Sequence, residues 1–177
     1  VDAWFLTHIH SDHIYAFIEM MEKHADEIDV EKIYYNFPTD LSICSREDDT
    51  CAKLFLEFYS LEPKIRAKSY IPRMGETITI GDIKFEILYT YGMPLKINSV
   101  NNTSLVMKMY LGGKSTIFLA DSEVEAGRIM LEKYGLTGQL KSDICQMAHH
   151  GQCGVEKRVY EAIKPEICLW NTPKWLW

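Results

Sequence analysis

Three histidines and an aspartate lie within six residues, at the end of the apolar segment "AWFLTHI". This segment is rich in aromatic and β-branched residues and predicts a buried strand. On an extended backbone the side chains at i and i+2 point to the same side, so His8 and His10 converge on one point. As the chain turns into the following helix, Asp12 and His13 are redirected to a neighbouring point. One short segment therefore predicts two adjacent metal sites, because imidazole and carboxylate are ligands of zinc and similar ions.

Polar residues of metal-ligand type also follow two later strands. The strand predicted over residues 116–120 ends on Asp121, and the apolar strand in "DICQMAHHG" ends on His149 and His150. Functional groups on the loops at one end of a sheet are typical of binding sites in layered α/β folds. We therefore expect these three residues to join the first cluster.

Hydrophobic periodicity predicts helices and strands around these segments. The helices are predicted at residues 11 to about 28, with Ser11 as N-cap, at 45–61, at 122 to about 134, and at 155–163. Ser122 and Glu125 form an S-x-x-E capping box for the third. A period of two predicts a hairpin around "IGD" and a second that turns at Gly112 and Gly113. With no internal linker, we expect one domain over residues 1–177.

Composition limits the classes of function. A formal charge of −6 disfavours broad binding to a nucleic-acid backbone. No apolar run approaches the roughly 18 residues of a membrane span. The five cysteines are odd in number and show no C-x-x-C, which favours buried free thiols. On one continuous helix Cys44 and Cys51 would lie about 10 Å apart, too far for a disulfide. The sequence predicts neither a compartment nor an oligomeric state.

H-x-H-x-D-H after an apolar strand resembles the signature of the metallo-β-lactamase fold hydrolases, and "THIHSDH" matches it in full. "IFLADS" and "QMAHHG" follow in that family's order, so the resemblance covers essentially the whole chain. It implies an α/β (α+β) fold, an αββα sandwich. Family members usually have several strands before the motif, whereas seven residues precede His8 here. We therefore expect an N-terminally truncated domain that lacks its first strands.

The resemblance also implies a paired metal site with two divalent ions, zinc first and manganese as the alternative. The implied ligands are His8 and His10 for the first ion, Asp12 and His13 for the second, Asp121 between the two ions, and one histidine of the HHG. Paired ions of this kind activate a water for hydrolysis.

Two roles in this site stay open. We favour His150 as the ligand and His149 as the residue that faces the substrate, with the reverse assignment as the alternative. Asp12 is also expected to take part in catalysis, by accepting a proton from the attacking water. The family usually supplies a further histidine between the two clusters, which this chain lacks. Either Asn101 or Asn102 could offer an amide oxygen there, and a strand-initiating turn is the other interpretation.

The Asn-rich sequence before S-L-V, together with HHG, resembles the branch that contains the hydrolase domain of bacterial DNA-uptake channel proteins and the phosphorylcholine esterases of bacterial cell surfaces. This resemblance implies hydrolysis of a phosphoester or phosphodiester. The alternatives are hydrolysis of a carbon ester, lactone or β-lactam, and a non-catalytic metal-binding domain with a degraded first site. Trp170, Trp175 and Trp177 either line a pocket for a choline-like cation or, as we favour, pack against a missing part of the domain.

Overall fold

The structure is a computed structural model and describes residues 1–92 and 100–176. In this part of the chain the strands are β1 (Ala3–Phe5), β2 (Lys32–Tyr34), β3 (Ser69–Tyr70), β4 (Thr77–Ile80), β5 (Ile83–Tyr89), β6 (Val106–Leu111), β7 (Lys114–Phe118), β8 (Ile144–Gln146) and β9 (Ile167–Leu169). The α-helices are α1 (Ser11–Lys23), α2 (Leu41–Ser45), α3 (Asp49–Ile65), α4 (Val124–Tyr134) and α5 (Lys157–Ile163). Over these described residues, no helix combines the length and the hydropathy that a bilayer crossing requires.

The strands form two sheets that pack face to face between helices. The smaller sheet is parallel, in the order β1-β2-β3, and the larger has the order β4-β5-β6-β7-β8-β9. Phe17 of α1 and Ile33 of β2 belong to the core between the helices and the smaller sheet. Tyr34 and Phe85 belong to the core between the sheets, and a third core joins the larger sheet to α4 and α5. This order of layers confirms the predicted αββα sandwich.

Both predicted hairpins are confirmed, and they supply four of the six strands of the larger sheet. β4 pairs antiparallel with β5, and β6 pairs antiparallel with β7. The second hairpin turns on Gly112 and Gly113, whose φ angles are 59° and 76°. Two consecutive positive φ angles define the tight turn that matches the strand twist, and glycine adopts them without steric cost.

The loops after β1, β7 and β8 meet at one side of the sandwich. β7 and β8 are parallel neighbours, so their carboxyl ends lie at the same edge of the larger sheet. The backbone N–H of Leu105, just before β6, donates to the carbonyl of Thr7 at 3.0 Å, an ordinary hydrogen-bond distance. This bond ties the segment that follows β1 to the larger sheet. The three loops that carry the predicted site residues are therefore neighbours.

The start predicted for the helix at residues 45–61 is wrong. The chain forms α2 and α3 instead, because the Asp48 side chain accepts a hydrogen bond from the Cys51 N–H at 2.7 Å and begins a new helix. Cys44 and Cys51 thus lie on different helices, and the separation expected for one continuous helix does not apply. All five cysteines are free, but Cys153 and Cys168 are exposed, so burial was predicted correctly for only three.

The capping box predicted from Ser122 and Glu125 is also wrong. Glu123 is the N-cap of α4, and the Ser122 hydroxyl donates to a backbone carbonyl three residues before it. The helix start is capped from a distant loop, since Asn102 Oδ1 accepts hydrogen bonds from the backbone N–H of Glu123 at 3.1 Å and of Ala126 at 3.0 Å. A tertiary contact has replaced the local cap.

Candidate metal centre

His8 and His10, here called the first pair, lie where the chain leaves β1 and enters α1. His10 has an extended backbone and is the N-cap of α1, whereas the predicted N-cap, Ser11, is the first helical residue. His8 Nε2 and His10 Nδ1 lie 3.1 Å apart. The two imidazoles converge, as the i, i+2 spacing predicted.

Asp12, His13, Asp121 and His150, here called the second group, face one another beside the first pair. His13 Nε2 lies 3.4 Å from Asp12 Oδ2 and 3.3 Å from Asp121 Oδ1. His150 Nε2 lies 2.9 Å from Asp12 Oδ2 and 3.4 Å from Asp121 Oδ2. Of the two histidines of the HHG, His150 faces the carboxylates, which is the placement that we favoured.

Two buried polar atoms of this cluster face each other without pairing, although His150 Nε2 and Asp12 Oδ2 form a hydrogen bond at 2.9 Å. His13 Nε2 and Asp121 Oδ1 are buried and 3.3 Å apart, yet they lack the alignment of a hydrogen bond. Ligands at the corners of a tetrahedron around zinc, with bonds of about 2.0–2.1 Å, are separated by roughly 3.3 Å. Two sets have ligand atoms within 4.8 Å of one another, namely His8, His13 and Asp121, and Asp12, His13 and His150. Donor types and spacing therefore fit divalent metal ions.

His8 and His13 are each held through the ring nitrogen that faces away from the cluster. His8 Nδ1 lies 3.1 Å from Thr7 Oγ1 and 3.4 Å from Ser104 Oγ. His13 Nδ1 lies 3.4 Å from the same Thr7 oxygen. Such partners fix the tautomer and the ring orientation of metal-ligating histidines. Thr7 and Ser104 therefore orient candidate ligand atoms in both halves of the site.

The other two imidazoles are held in the same way by different partners. His150 Nδ1 lies 3.0 Å from the backbone carbonyl of Asn171. His10 presents Nδ1 to His8, and its Nε2 lies 3.5 Å from Glu47 Oε1. Glu47 belongs to the link between α2 and α3. Sequence reasoning missed it, because the glutamate of "REDD" carries no signal for a contact with a histidine 37 positions earlier in the chain.

Strained backbone delivers Asp121 and His150 to the cluster. Ala120, His149 and His150 all have left-handed backbone angles, with φ of 49°, 46° and 56°. This conformation costs an L-residue about 1–2 kcal/mol, and such strain tends to concentrate at functional sites. Gly151 follows with φ of 79°, and a Cβ there would lie 1.8 Å from Trp170 Nε1. Glycine is therefore required after the histidine pair.

The cluster shifts the pKa values of its members in opposite directions. Burial holds the pKa of His8 well below its usual value, and the neighbouring His13 lowers it further. Burial also disfavours protonation of His13, but contacts with the Asp12 and Asp121 carboxylates outweigh it and raise the pKa of His13 to about 9. Contact with His13 lowers the pKa of Asp12. Burial would raise the pKa of Asp121, yet contact with His13 leaves it lowered. The second group thus holds a proton that an ion would displace.

Two clefts open onto the cluster. One has a volume of about 430 Å³ and is lined by Glu47, Asn101 and other polar groups. The other has a volume of about 600 Å³ and includes Asp121 and His150. His10, Asp12 and His149 line both clefts. A substrate in either cleft would therefore reach the candidate metal ligands.

The C-terminal tryptophans were predicted either to line a pocket or to pack against another part of the domain. Trp170 and Trp175 line the larger cleft and are 52% and 78% exposed. Trp170 Nε1 also donates to the His150 carbonyl at 2.8 Å, so it supports the HHG loop. Trp177 lies outside the described residues. For Trp170 and Trp175 the structure shows a position beside the candidate site.

His149 turns away from the cluster towards the smaller cleft. Its Nδ1 lies 2.9 Å from Glu123 Oε1, a charge contact without the alignment of a hydrogen bond. Asn101 Nδ2 donates to the same oxygen at 3.1 Å. Residues Asn101–Thr103 form a 3₁₀ turn before β6, which agrees with the strand-initiating turn. Glu123 was not predicted as a site residue, although it directly follows "ADS".

The chain is similar in sequence to one curated protein of much greater length. ComE operon protein 3 of Bacillus subtilis (strain 168) is 27% identical over 177 residues, which are 98% of this chain and 20% of that protein. The chain thus spans about a fifth of this relative. No family model matches the sequence. The similarity agrees with the branch that the "NNTSLV" and HHG segments predicted.

Solved structures show the same fold at low sequence identity. The metallo-β-lactamase fold protein YhfI from Bacillus subtilis matches with a TM-score of 0.52 and 14% identity, over 98% of this chain and 66% of that chain. CmlA, a diiron β-hydroxylase from Streptomyces venezuelae, matches with a TM-score of 0.59 and 13% identity, over 95% of this chain and 35% of that chain. With the αββα layers, these similarities show that the chain has the metallo-β-lactamase fold.

Proposed function

We propose that the chain is a metal-dependent hydrolase that acts on a phosphoester or phosphodiester through two divalent ions, zinc first and manganese as the alternative. The observation that carries the proposal is the convergence of His8, His10 and the second group at the meeting point of two open clefts. A purely structural cluster would pair its polar atoms, whereas His13 Nε2 and Asp121 Oδ1 are left without aligned partners.

The residues around the two clefts have distinct roles in the proposed hydrolysis. Ions held here would supply a water of lowered pKa and positive charge for the phosphoester, since the described residues that line the two clefts include no Lys or Arg. Asp12 is ionised, half exposed and present in both clefts, so it is placed to accept a proton from that water. His149 lines both clefts and keeps Nδ1 beside Glu123, so the doubly protonated ring would have its Nε2–H left to donate to a leaving group.

The choice of phosphoesters rests on the branch that the sequence resembles. The fold by itself does not select a reaction, because one solved structure of this fold is a diiron β-hydroxylase. The "NNTSLV" segment has a structural role at the site, since its Ser104 contacts His8 and accepts a hydrogen bond from the Asp121 N–H at 3.2 Å. The features that suggested the phosphoesterase branch are therefore parts of the site.

A substrate panel tests the proposal. Protein reconstituted with Zn²⁺ or Mn²⁺ is assayed on bis(4-nitrophenyl) phosphate, a chromogenic ester, a lactone and a chromogenic cephalosporin. We expect hydrolysis of the phosphodiester, its loss in His8→Ala and Asp121→Ala, and parent activity in His24→Ala, which changes an exposed histidine outside the site. Hydrolysis of only the ester, the lactone or the cephalosporin would contradict the phosphoester assignment and favour a carbon ester, lactone or β-lactam as substrate. Metal binding without hydrolysis of any compound would favour the non-catalytic domain.

A further inference from the structure

Asn101 carries a buried oxygen that no group in the described part of the chain satisfies. The residue is 5% exposed, and its Oδ1 has no hydrogen-bond partner within the residues that the structure describes. Buried polar atoms are nearly always paired with protein or with an ordered water or ion. The unpaired oxygen therefore points to a partner outside the described residues, and an ion held by the neighbouring histidines is such a partner.

The orientation of this amide follows from its neighbours. Asn101 Nδ2 donates to Glu123 Oε1 at 3.1 Å. A carboxylate only accepts hydrogen bonds, so the amide nitrogen must face Glu123 and the amide oxygen must face the other way. The adjacent Asn102 differs, because its Oδ1 already accepts two backbone hydrogen bonds at the start of α4. Of the two asparagines, Asn101 is the one with an oxygen to offer.

The segment that carries Asn101 runs beside the first pair. Its last residue, Leu105, donates from its backbone N–H to the Thr7 carbonyl at 3.0 Å. Ser104 Oγ lies 3.4 Å from His8 Nδ1. Asn101 itself lines the 430 Å³ cleft together with His10. These contacts place Asn101 on the side of the site where the first pair lies.

We propose that Asn101 Oδ1 is an oxygen ligand of the ion that His8 and His10 hold. The inference rests on the proposed metal-dependent function and adds a ligand to it. The closest carboxylate oxygen to His8 Nε2, that of Asp121, is 3.9 Å away, so the first pair has room for a further donor. Two imidazoles with a neutral amide oxygen form a harder and weaker site than three imidazoles, and such a site accepts Mn²⁺ more readily.

Titration of the metals alone tests this ligand without any substrate. Zn²⁺ and Mn²⁺ are titrated calorimetrically into metal-stripped parent, Asn101→Ala, Asn101→Asp and, as a matched control, Asn36→Ala, whose side chain donates to Tyr91 O. The parent is expected to bind two ions with unequal affinity. In Asn101→Ala the weaker dissociation constant should rise about tenfold or more, and more for Mn²⁺ than for Zn²⁺, because an oxygen donor is lost. Asn36→Ala should match the parent.

Asn101→Asp keeps the side-chain shape and an oxygen at the Oδ1 position. It therefore shows whether weaker binding in Asn101→Ala comes from the lost oxygen or from misfolding. Its carboxylate faces Glu123, so the metal-free variant should melt below the parent, while the added charge should tighten the weaker ion and reverse that loss. Parent-like titrations of both Asn101 variants would overturn the ligand assignment and leave the proposed function intact. A parent that binds a single ion would overturn the paired site and this inference with it.

Discussion

The first pair and the second group use the same ligand chemistry but are assembled differently. His8 and His10 come from one segment, two residues apart, and their ring nitrogens meet at 3.1 Å. The second group draws on the first turn of α1 and on the segments after β7 and β8, and its contacts between His150, His13 and the carboxylates of Asp12 and Asp121 fall between 2.9 and 3.4 Å. Local spacing is enough to bring two imidazoles together, whereas a complete set of ligands requires the sheet to align distant loops.

The largest expected effect is the loss of both ions when Asp121 is removed. Asp121 contacts His8 at 3.9 Å and both His13 and His150 at 3.3 and 3.4 Å, so it serves both halves of the site. Elemental analysis of Asp121→Ala purified without added metal should find almost no metal. Asp29→Ala, which changes an exposed carboxylate, is the control. Parent-like metal content in Asp121→Ala would remove Asp121 from the site.

The next effect separates the two halves. His150→Ala removes a member of the second group, and His10→Ala removes half of the first pair, so each should lose one ion and keep the other. Calorimetric titration with Zn²⁺ should show the tighter ion missing from His150→Ala and the weaker ion missing from His10→Ala. If both variants lost the same ion, the division into a first pair and a second group would be wrong.

The two halves should also respond differently to pH. The pKa of His13 is raised to about 9, so an ion entering the second group must displace its proton. Affinity there should rise about tenfold per pH unit up to pH 9 and then level off. The stability that His13 gives the metal-free protein is complete below its unfolded pKa of about 6.5 and is lost as pH rises through 9. Titrations in buffers of different ionisation enthalpy would measure the released proton, and their failure to detect one would contradict this assignment.

The smallest expected effect concerns the orientation of the first pair. Glu47 Oε1 lies 3.5 Å from His10 Nε2, on the side of the ring opposite His8. Glu47→Gln should weaken the ion at the first pair about tenfold and leave the second group unchanged, because orienting partners of ligating histidines contribute on that scale. Glu22→Gln on the exposed face of α1 is the control. Equal weakening of both ions would indicate a general loss of structure, which thermal melting in EDTA would detect.

Much of the site was predictable because its signals are local. H-x-H-x-D-H crosses from an extended segment into α1, so it presents its ligand types on two adjacent sides whatever surrounds it. Asp121 and the HHG were predictable because each follows an apolar strand, and the carboxyl ends of the parallel strands β7 and β8 meet at one edge. The layers were predictable from the family resemblance, and the hairpins from the period of two and the glycine pair.

The errors and omissions share a different cause. Ser122 and Glu125 do not cap α4, because Asn102 from a distant loop caps it instead. The helix predicted across residues 45–61 is interrupted because Asp48 caps the start of a new helix, α3. Glu47 and Glu123 entered the site from segments whose sequence carries no metal-ligand pattern. Their roles depend on packing between elements, which no window of sequence contains.

The sequence by itself therefore determined which side chains are of the ligand type and how His8, His10, Asp12 and His13 point, because strand and helix periodicity act over a few residues. The tertiary structure decided which histidine of the HHG faces the carboxylates, which asparagine keeps an unpaired oxygen, and which partners hold each imidazole. Those outcomes depend on left-handed backbone at His149 and His150 and on contacts between loops that the two sheets bring together. Only the folded chain supplies these constraints, since each is a distance between residues far apart in sequence.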